Sequence, residues 1–117
     1  MAKPLYDTCP IRQVISRFSD KWSLLILYTL HSSPEGVLRF NELRRHMEDC
    51  SQKMLSQTLR RLEQANLISR KVYAQVPPRV DYSLTPVGTS LMPAVIALIE
   101  WSLAHFNDVV SRDVVVD

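Results

Sequence analysis

Glycine and cysteine are scarce in this chain of 117 residues, which contains two of each. Two glycines are too few for a glycine-rich loop that cradles a phosphate group. The cysteines, Cys9 and Cys50, and the histidines at positions 31, 46 and 105 lack the short spacing of metal ligands. These shortages argue against an enzyme, a metal site and a bound cofactor. The low cysteine content and the absence of a recognisable signal peptide predict a cytoplasmic protein.

A strong net charge is also absent, since 14 basic residues stand against 12 acidic ones. The charge is unevenly distributed, however. Residues 39–79 include nine basic and four acidic side chains, whereas residues 80–117 include one basic and five acidic ones. A basic segment of this kind is typical of a face that docks on nucleic acid. The chain length and the 46% of hydrophobic residues suit one domain, over residues 1–117, with a core of its own.

An amphipathic helix of roughly four turns is predicted over about 51–65. Apolar side chains at 54, 55, 59 and 62 recur on one side, Ser51 is a suitable N-cap, and Asn66 suits a left-handed exit. The other side collects residues that donate hydrogen bonds to base edges or phosphates, with Glu63 toward its margin. A face that is merely solvated is the alternative, but the composition favours DNA. The residues of this face are Lys53, Ser56, Gln57, Arg60 and Gln64.

A two-stranded ribbon is predicted next, over about 68–84. Apolar and polar residues alternate through 68–73 and again through 80–84. Two consecutive prolines between the strands stiffen a loop, which puts Arg79 near an exposed tip. An arginine on a stiff loop loses little entropy when it enters a minor groove. A hairpin that only closes the domain is the alternative. Helix and ribbon together predict a winged helix-turn-helix.

The segments upstream supply the supporting elements. Residues 21–30, with Asp20 as a cap, are apolar nearly all round, so they suit a buried central helix in which Trp22 anchors the core. Residues 40–47 are predicted to form the first helix of the helix-turn-helix, and residues 48–50 the turn. A short third strand is expected at 37–38, beside the ribbon.

A long apolar helix is predicted over about 86–110, beginning with a threonine cap and Pro86. Its apolar run is shorter than the ~20 residues that a membrane span needs, and it contains Pro93 and Glu100. We therefore favour a homodimer interface, with one stripe of this helix packed on its own domain and a second stripe on the partner. A helix near 11–18 is expected to join that interface. The predicted fold class is mainly α with a small β-hairpin wing and dimerisation helices at both ends.

These motifs resemble the HxlR-type family of bacterial winged helix-turn-helix regulators. The resemblance covers about residues 9–101 and is carried by the Cys9 and Pro10 pair and by residues 20–27, 39–45, 51–55, 59–63 and 76–85. It implies a dimeric, cytoplasmic transcription factor with MarR-like architecture that binds a pseudo-palindrome in double-stranded DNA. The major-groove candidates that it implies are Ser51, Gln52, Lys53, Ser56, Gln57 and Arg60, and the wing contact is Arg79.

The resemblance also implies a role for Cys9, because several regulators of the family sense oxidants, quinones or aldehydes through a cysteine at this place. Cys9 precedes Pro10 at the start of a predicted helix, where the positive end of the helix dipole favours a thiolate. Packing in the dimer interface is the alternative. Cys50 stands where the family usually has an aliphatic residue, and we interpret it as a small buried hydrophobe.

The sequence therefore predicts a sequence-specific DNA-binding regulator. A winged-helix module for protein assembly, with its basic helix against an acidic partner, is the alternative. The two differ in base discrimination, since DNA readout is lost when a base-reading side chain is removed. The sequence specifies no small-molecule effector.

Overall fold

The computed structural model describes residues 9–110 and shows a winged helix-turn-helix, as the sequence predicts. The terminal parts of the predicted domain, at 1–8 and 111–117, lie outside the described residues. The elements in chain order are α1 (Pro10–Ile15), α2 (Ser23–Ser32), β1 (Val37–Arg39), α3 (Phe40–His46), α4 (Gln52–Gln64), β2 (Ile68–Tyr73), β3 (Arg79–Leu84), α5 (Pro86–Ala104) and α6 (Phe106–Val109).

The three strands form one antiparallel sheet in the order β1-β3-β2. The expected third strand is present, since Leu38 of β1 lies opposite Tyr82 of β3. The ribbon pairs Ile68 with Leu84 at its base and Tyr73 with Arg79 at its outer end. Strand β2 does not show the expected alternation of buried and exposed residues. It buries only Ile68, and its remaining residues extend beyond the core. The outer half of the ribbon is therefore free to act as a wing.

The core lies between α2, α3, α4, the first half of α5 and the sheet. Thr58 is fully buried among the apolar side chains of α4, and its hydroxyl donates to the Met54 carbonyl at 2.8 Å. Met54 was expected in the core but is 40% exposed, because Leu55, Thr58, Leu59 and Leu62 fill the inward face of α4. The buried apolar residues of the other helices are Ile26, Leu27, Leu30, Leu43, Met92 and Val95.

The central helix α2 differs from the prediction in two respects. It begins at Ser23, two residues later than expected, because an Asp20 carboxylate oxygen accepts hydrogen bonds from the amides of Trp22 and Ser23. It is also not buried all round, since Leu25 and Tyr28 are exposed in the single chain. Trp22 is half-buried against the core.

The start of α5 is tied to the end of α4. Asn66 has the expected left-handed conformation, with φ of 62°. Its carbonyl accepts a hydrogen bond from the Thr85 hydroxyl at 2.7 Å, and the Thr85 amide donates to the Leu67 carbonyl at 3.1 Å. The same hydroxyl caps α5 by accepting from the Gly88 amide at 3.0 Å. The exit of α4 and the entry of α5 are therefore one joint.

The C-terminal helix packs on the domain along one side of its first half, and its last turn is exposed all round. Met92 and Val95 pack on the domain, whereas every residue from 100 to 104 is exposed. The helix also ends at Ala104, where His105 leaves helical geometry before α6, so the single helix expected over about 86–110 is two. By length and composition alone, α5 is the one helix within residues 9–110 that could cross a membrane.

Candidate nucleic-acid interface

Helix α4 presents a polar face that no other segment within residues 9–110 covers. The Ser51 hydroxyl accepts the Met54 amide at 3.0 Å and fixes the start of the helix, as its sequence predicts. Because one face of α4 is filled by buried side chains, the opposite face points directly away from the core at 3.6 residues per turn. The exposed residues of this face are Lys53, Gln57, Arg60 and Gln64, with Arg60 on the side toward the wing.

The other major-groove candidates are placed less centrally. The Ser51 oxygen is engaged in the cap, although its hydroxyl hydrogen can still be donated. Gln52 is exposed at the N-terminus of α4, and its Oε1 accepts from Arg44 Nη1 at 3.5 Å. Ser56 is half-buried on the flank that faces the wing. The candidates are therefore exposed, except the half-buried Ser56, on one helix surface.

Arg61, on the opposite flank, was not identified from the sequence. Its Nη2 lies 2.8 Å from Asp20 Oδ1, so an ion pair joins α4 to the segment before α2. Partial burial raises the pKa of Asp20, but the hydrogen bonds from Ser23 and the Trp22 amide, together with the Arg61 charge, outweigh it and lower this pKa. The carboxylate is therefore ionised at neutral pH. Arg61 positions α4 and does not face outward.

Arg79 lies next to the tip of the ribbon, near the place that the sequence predicts, but its side chain has a partner. It opens β3, and its Nε and Nη2 donate to the two carboxylate oxygens of Asp81 at 2.9 and 3.1 Å. Its guanidinium also lies 5.2 Å from the centre of the Tyr73 ring. The pair forms because residues two apart on a strand point to the same side. The tip itself consists of residues 74–78, so Arg79 is held in place behind it.

The same contacts affect the charge of the wing. Hydrogen bonds from Arg79 hold the pKa of Asp81 below its ordinary value despite partial desolvation. Arg70 and Lys71 on β2 are both exposed, and the Lys71 ammonium lies 5.1 Å from the Tyr73 ring centre. Neither was singled out from the sequence, although both belong to the basic segment 39–79. The exposed cations of the wing are thus on β2 as well as at Arg79.

Both cysteines are free thiols and both are covered in the single chain. Cys9 is the N-cap residue of α1 and is 2% exposed, without a side-chain capping hydrogen bond. Cys50 is 5% exposed within the core, as expected for a small hydrophobe. Burial and the nearby Asp49 raise the pKa of the Cys50 thiol. Within residues 9–110, no three His, Cys, Asp or Glu side chains come together as a metal site.

An apolar surface remains uncovered at the two ends of the described chain. Helix α1 exposes Ile11, Val14 and Ile15, and α2 exposes Leu25 and Tyr28. The C-terminal half of α5 and α6 expose Leu98, Trp101, Leu103, Phe106, Val109 and Val110. Such a surface is larger and more apolar than scattered single residues on a monomer, and it marks an interaction site.

Comparison with known proteins finds similarity to helix-turn-helix transcriptional regulators. Residues 17–109 match a family model described as HxlR-like helix-turn-helix. The chain is 40% identical over 105 residues to YtfH of Escherichia coli K12, an uncharacterised HTH-type transcriptional regulator, covering 90% of this chain and 81% of that protein. The structure of a putative transcriptional regulator YtfH from Salmonella typhimurium matches with a TM-score of 0.80 and 38% identity, over 93% of this chain and 95% of that one.

A second similarity is to a protein named for redox regulation. The redox regulator HypR in its reduced form matches with a TM-score of 0.78 and 36% identity, over 87% of this chain and 98% of that one. Its oxidised form is also known, with a TM-score of 0.74 and 38% identity, over 82% of this chain and 96% of that one.

Proposed function

Because the chain belongs to the HxlR-like helix-turn-helix family and is a transcriptional regulator of that type, we propose that it binds a pseudo-palindromic operator in double-stranded DNA as a homodimer. The observation that carries this proposal is the uncovered polar face of α4 beside a projecting basic wing. A helix of this diameter fits the major groove. A protein with this role works in the cytoplasm, where bacterial DNA is located.

The site residues take different roles in this proposal. Lys53 and Gln57 face the base edges, because lysine suits guanine and glutamine suits adenine. Ser51 and Gln52 lie at the N-terminus of α4, the part of a recognition helix that contacts bases in this class of motif. Ser56 and Arg60 lie nearer the wing. Arg79, held by Asp81, is presented to the neighbouring minor groove.

The dimer is inferred from the uncovered apolar surface. A pseudo-palindrome requires two recognition helices related by a two-fold axis. The proposed partner is a second copy of this chain, which would cover the exposed apolar side chains of α1, α5 and α6. This also accounts for a long apolar helix in a DNA-binding protein.

Replacing Gln57 with alanine is expected to lower the affinity for the operator by roughly 5- to 150-fold while leaving the affinity for scrambled DNA unchanged. The reason is that a bidentate base contact is worth about 1–3 kcal/mol of discrimination. The operator is first obtained by in vitro selection from random duplexes, and affinity is then measured by fluorescence anisotropy. Gln64→Ala is the matched control, since Gln64 is exposed at the far end of the same helix.

Two results would count against this assignment. Equal losses on both duplexes would place Gln57 on the phosphate backbone. Failure of the selection to enrich any site, with weak equal binding to all duplexes, would instead favour a protein-assembly module with an acidic partner.

We also propose that Cys9 makes DNA binding responsive to oxidants or electrophiles. The support is the position of Cys9 at the start of α1 and the similarity to a protein described as a redox regulator. Alkylation with iodoacetamide is expected to change operator affinity by roughly 5- to 150-fold, the usual range of coupling between two sites. Cys9→Ser is expected to abolish the response and Cys50→Ser to retain it. If alkylation still changes the operator affinity of Cys9→Ser, the proposal is wrong.

A further inference from the structure

A polar groove separates the recognition helix from the wing. It has a volume of about 380 Å³ and is lined by Phe40, Ser56, Arg60, Glu63, Arg70 and Tyr82. Ser56, Arg60 and Glu63 lie on the flank of α4 that faces the sheet, and Arg70 extends from β2 on the other side. The groove therefore has an arginine on each of its two walls.

These two arginines differ from two others of this surface, which are held in ion pairs. Arg61 is bound to Asp20, and Arg79 is bound to Asp81. Arg60 and Arg70 are exposed, and neither forms an ion pair among residues 9–110. Two guanidinium groups that face one open groove without a bound carboxylate make a site for an anion, and phosphate oxygens match their planar donor geometry.

The position of the groove indicates which anion it binds. When α4 lies in the major groove and the wing reaches the adjacent minor groove, the sugar–phosphate strand between the two grooves has to pass between α4 and β2. We propose that this groove holds a backbone phosphate of the operator, with Arg60 and Arg70 donating from opposite sides. The inference rests on the proposed DNA-binding function and assigns Arg60 to the backbone and not to a base edge.

The helix position of Arg60 supports this assignment. Base contacts of a recognition helix come mainly from its N-terminal residues, where Lys53 lies in the first turn of α4. Arg60 lies about two turns further along and borders the wing. Ser56, one turn before Arg60 on the same flank, adds a hydroxyl that can donate to a phosphate oxygen.

Glu63 provides an internal test, because it lines the same groove with the opposite charge. Its carboxylate repels a phosphate that enters the groove. It therefore weakens binding to any duplex, whatever the base sequence, and limits the affinity that Arg60 and Arg70 give to non-specific DNA. Removing the Glu63 charge is expected to act in the direction opposite to removing either arginine.

The experiment compares wild-type protein with Arg60→Gln, Arg70→Gln and Glu63→Gln by fluorescence anisotropy over a series of salt concentrations. The probes are a duplex obtained by in vitro selection and a scrambled duplex of equal length. Each arginine variant is expected to weaken binding to both duplexes by the same factor and to reduce the slope of log affinity against log salt by about 0.9 for each phosphate that is no longer neutralised. Glu63→Gln is expected to strengthen binding to both.

Lys21→Gln is the matched control, since Lys21 is an exposed cation outside the groove and outside the helices of the proposed dimer interface. It removes the same charge from the chain and is expected to leave the slope unchanged. Circular dichroism of each variant confirms that the fold is retained. If Lys21→Gln lowers the salt slope as much as Arg60→Gln does, the effect comes from the net charge of the chain and the proposal is overturned.

The remaining outcomes separate this inference from the proposed function. Loss of affinity for the selected duplex alone in Arg60→Gln would mean base reading and overturn the phosphate site. An unchanged salt slope in both arginine variants would do the same. Equal binding of wild-type protein to the two duplexes would contradict operator recognition, while the slopes would still decide whether the groove holds a phosphate.

A second measurement locates the phosphate. Single methylphosphonate linkages, which are uncharged, are placed one at a time along each strand of the selected duplex. At one linkage per half-site, the neutral group is expected to weaken binding of wild-type protein but not to weaken Arg60→Gln further, because that variant no longer binds the phosphate at this linkage. Fully additive effects at every linkage would overturn the proposed interaction.

Discussion

Replacing Gly88 with alanine is expected to destabilise the fold by about 3 kcal/mol, although alanine is usually the better helix residue by about 1 kcal/mol. A Cβ atom at Gly88 would lie 2.0 Å from the carbonyl oxygen of Leu67 and 3.0 Å from its carbonyl carbon. Both are backbone atoms, so no side-chain rotation relieves the clash. The start of α5 would have to move away from the end of α4.

This movement would break the joint between the two helices. The Leu67 carbonyl that Cβ would strike is the acceptor for the Thr85 amide, and Thr85 in turn caps α5 at Gly88. Urea unfolding followed by circular dichroism measures the loss. Thr89→Ala is the control, because Thr89 is exposed on the next position of the same helix, and it is expected to change stability by less than about 0.5 kcal/mol. A Gly88→Ala variant as stable as the wild type would show that the start of α5 can move away from Leu67 without loss of stability.

Replacing Leu103 with glutamate is expected to convert the proposed dimer into a folded monomer. Leu103 is 75% exposed in the single chain, so a carboxylate there is hydrated unless a partner covers it. Covering it would bury an unpaired charge, which an apolar interface does not tolerate. Sedimentation equilibrium measures the change in mass, and Thr89→Glu on the packed half of α5 is the control.

The same variant is expected to lose operator affinity by roughly two to four orders of magnitude. In a dimer, binding of one half-site raises the effective concentration of the second recognition helix, and a monomer forgoes that gain although its own DNA-binding residues are unchanged. Affinity for a single half-site is expected to stay close to that of the wild type. A Leu103→Glu protein that remains dimeric and binds the full site normally would contradict the role of α5.

Local signals were sufficient for the recognition helix. The hydroxyl of Ser51 and the left-handed Asn66 delimit α4 because capping and exit geometry depend on neighbouring residues only. The burial of Met54 was predicted wrongly, because periodicity locates an apolar side but does not give its width. Thr58 satisfies its own hydroxyl within the helix and so takes a core position.

Pairings between distant segments were not predictable from the sequence. Asp20 and Arg61 meet only when α2 packs against α4, and Arg60 and Arg70 share a groove only when β2 folds back along the helix. The pairing of Arg79 with Asp81 was also not predicted, although Arg79 lies near the wing tip as expected. A count of charged residues treats Arg79 as an unpaired cation, whereas in the fold its guanidinium donates to the Asp81 carboxylate.

The division of α5 along its length has a further consequence for the proposed dimer. A helix of 19 residues is about 28 Å long, so its fixed half and its projecting half act as the two ends of one rigid rod. In the proposed dimer the rod length would set how far apart the two recognition helices stand, and each residue added to it would rotate the DNA-binding end of a subunit by about 100° relative to its dimer-forming end. The number of base pairs between the proposed operator half-sites would therefore depend on a helix that carries none of the proposed DNA contacts.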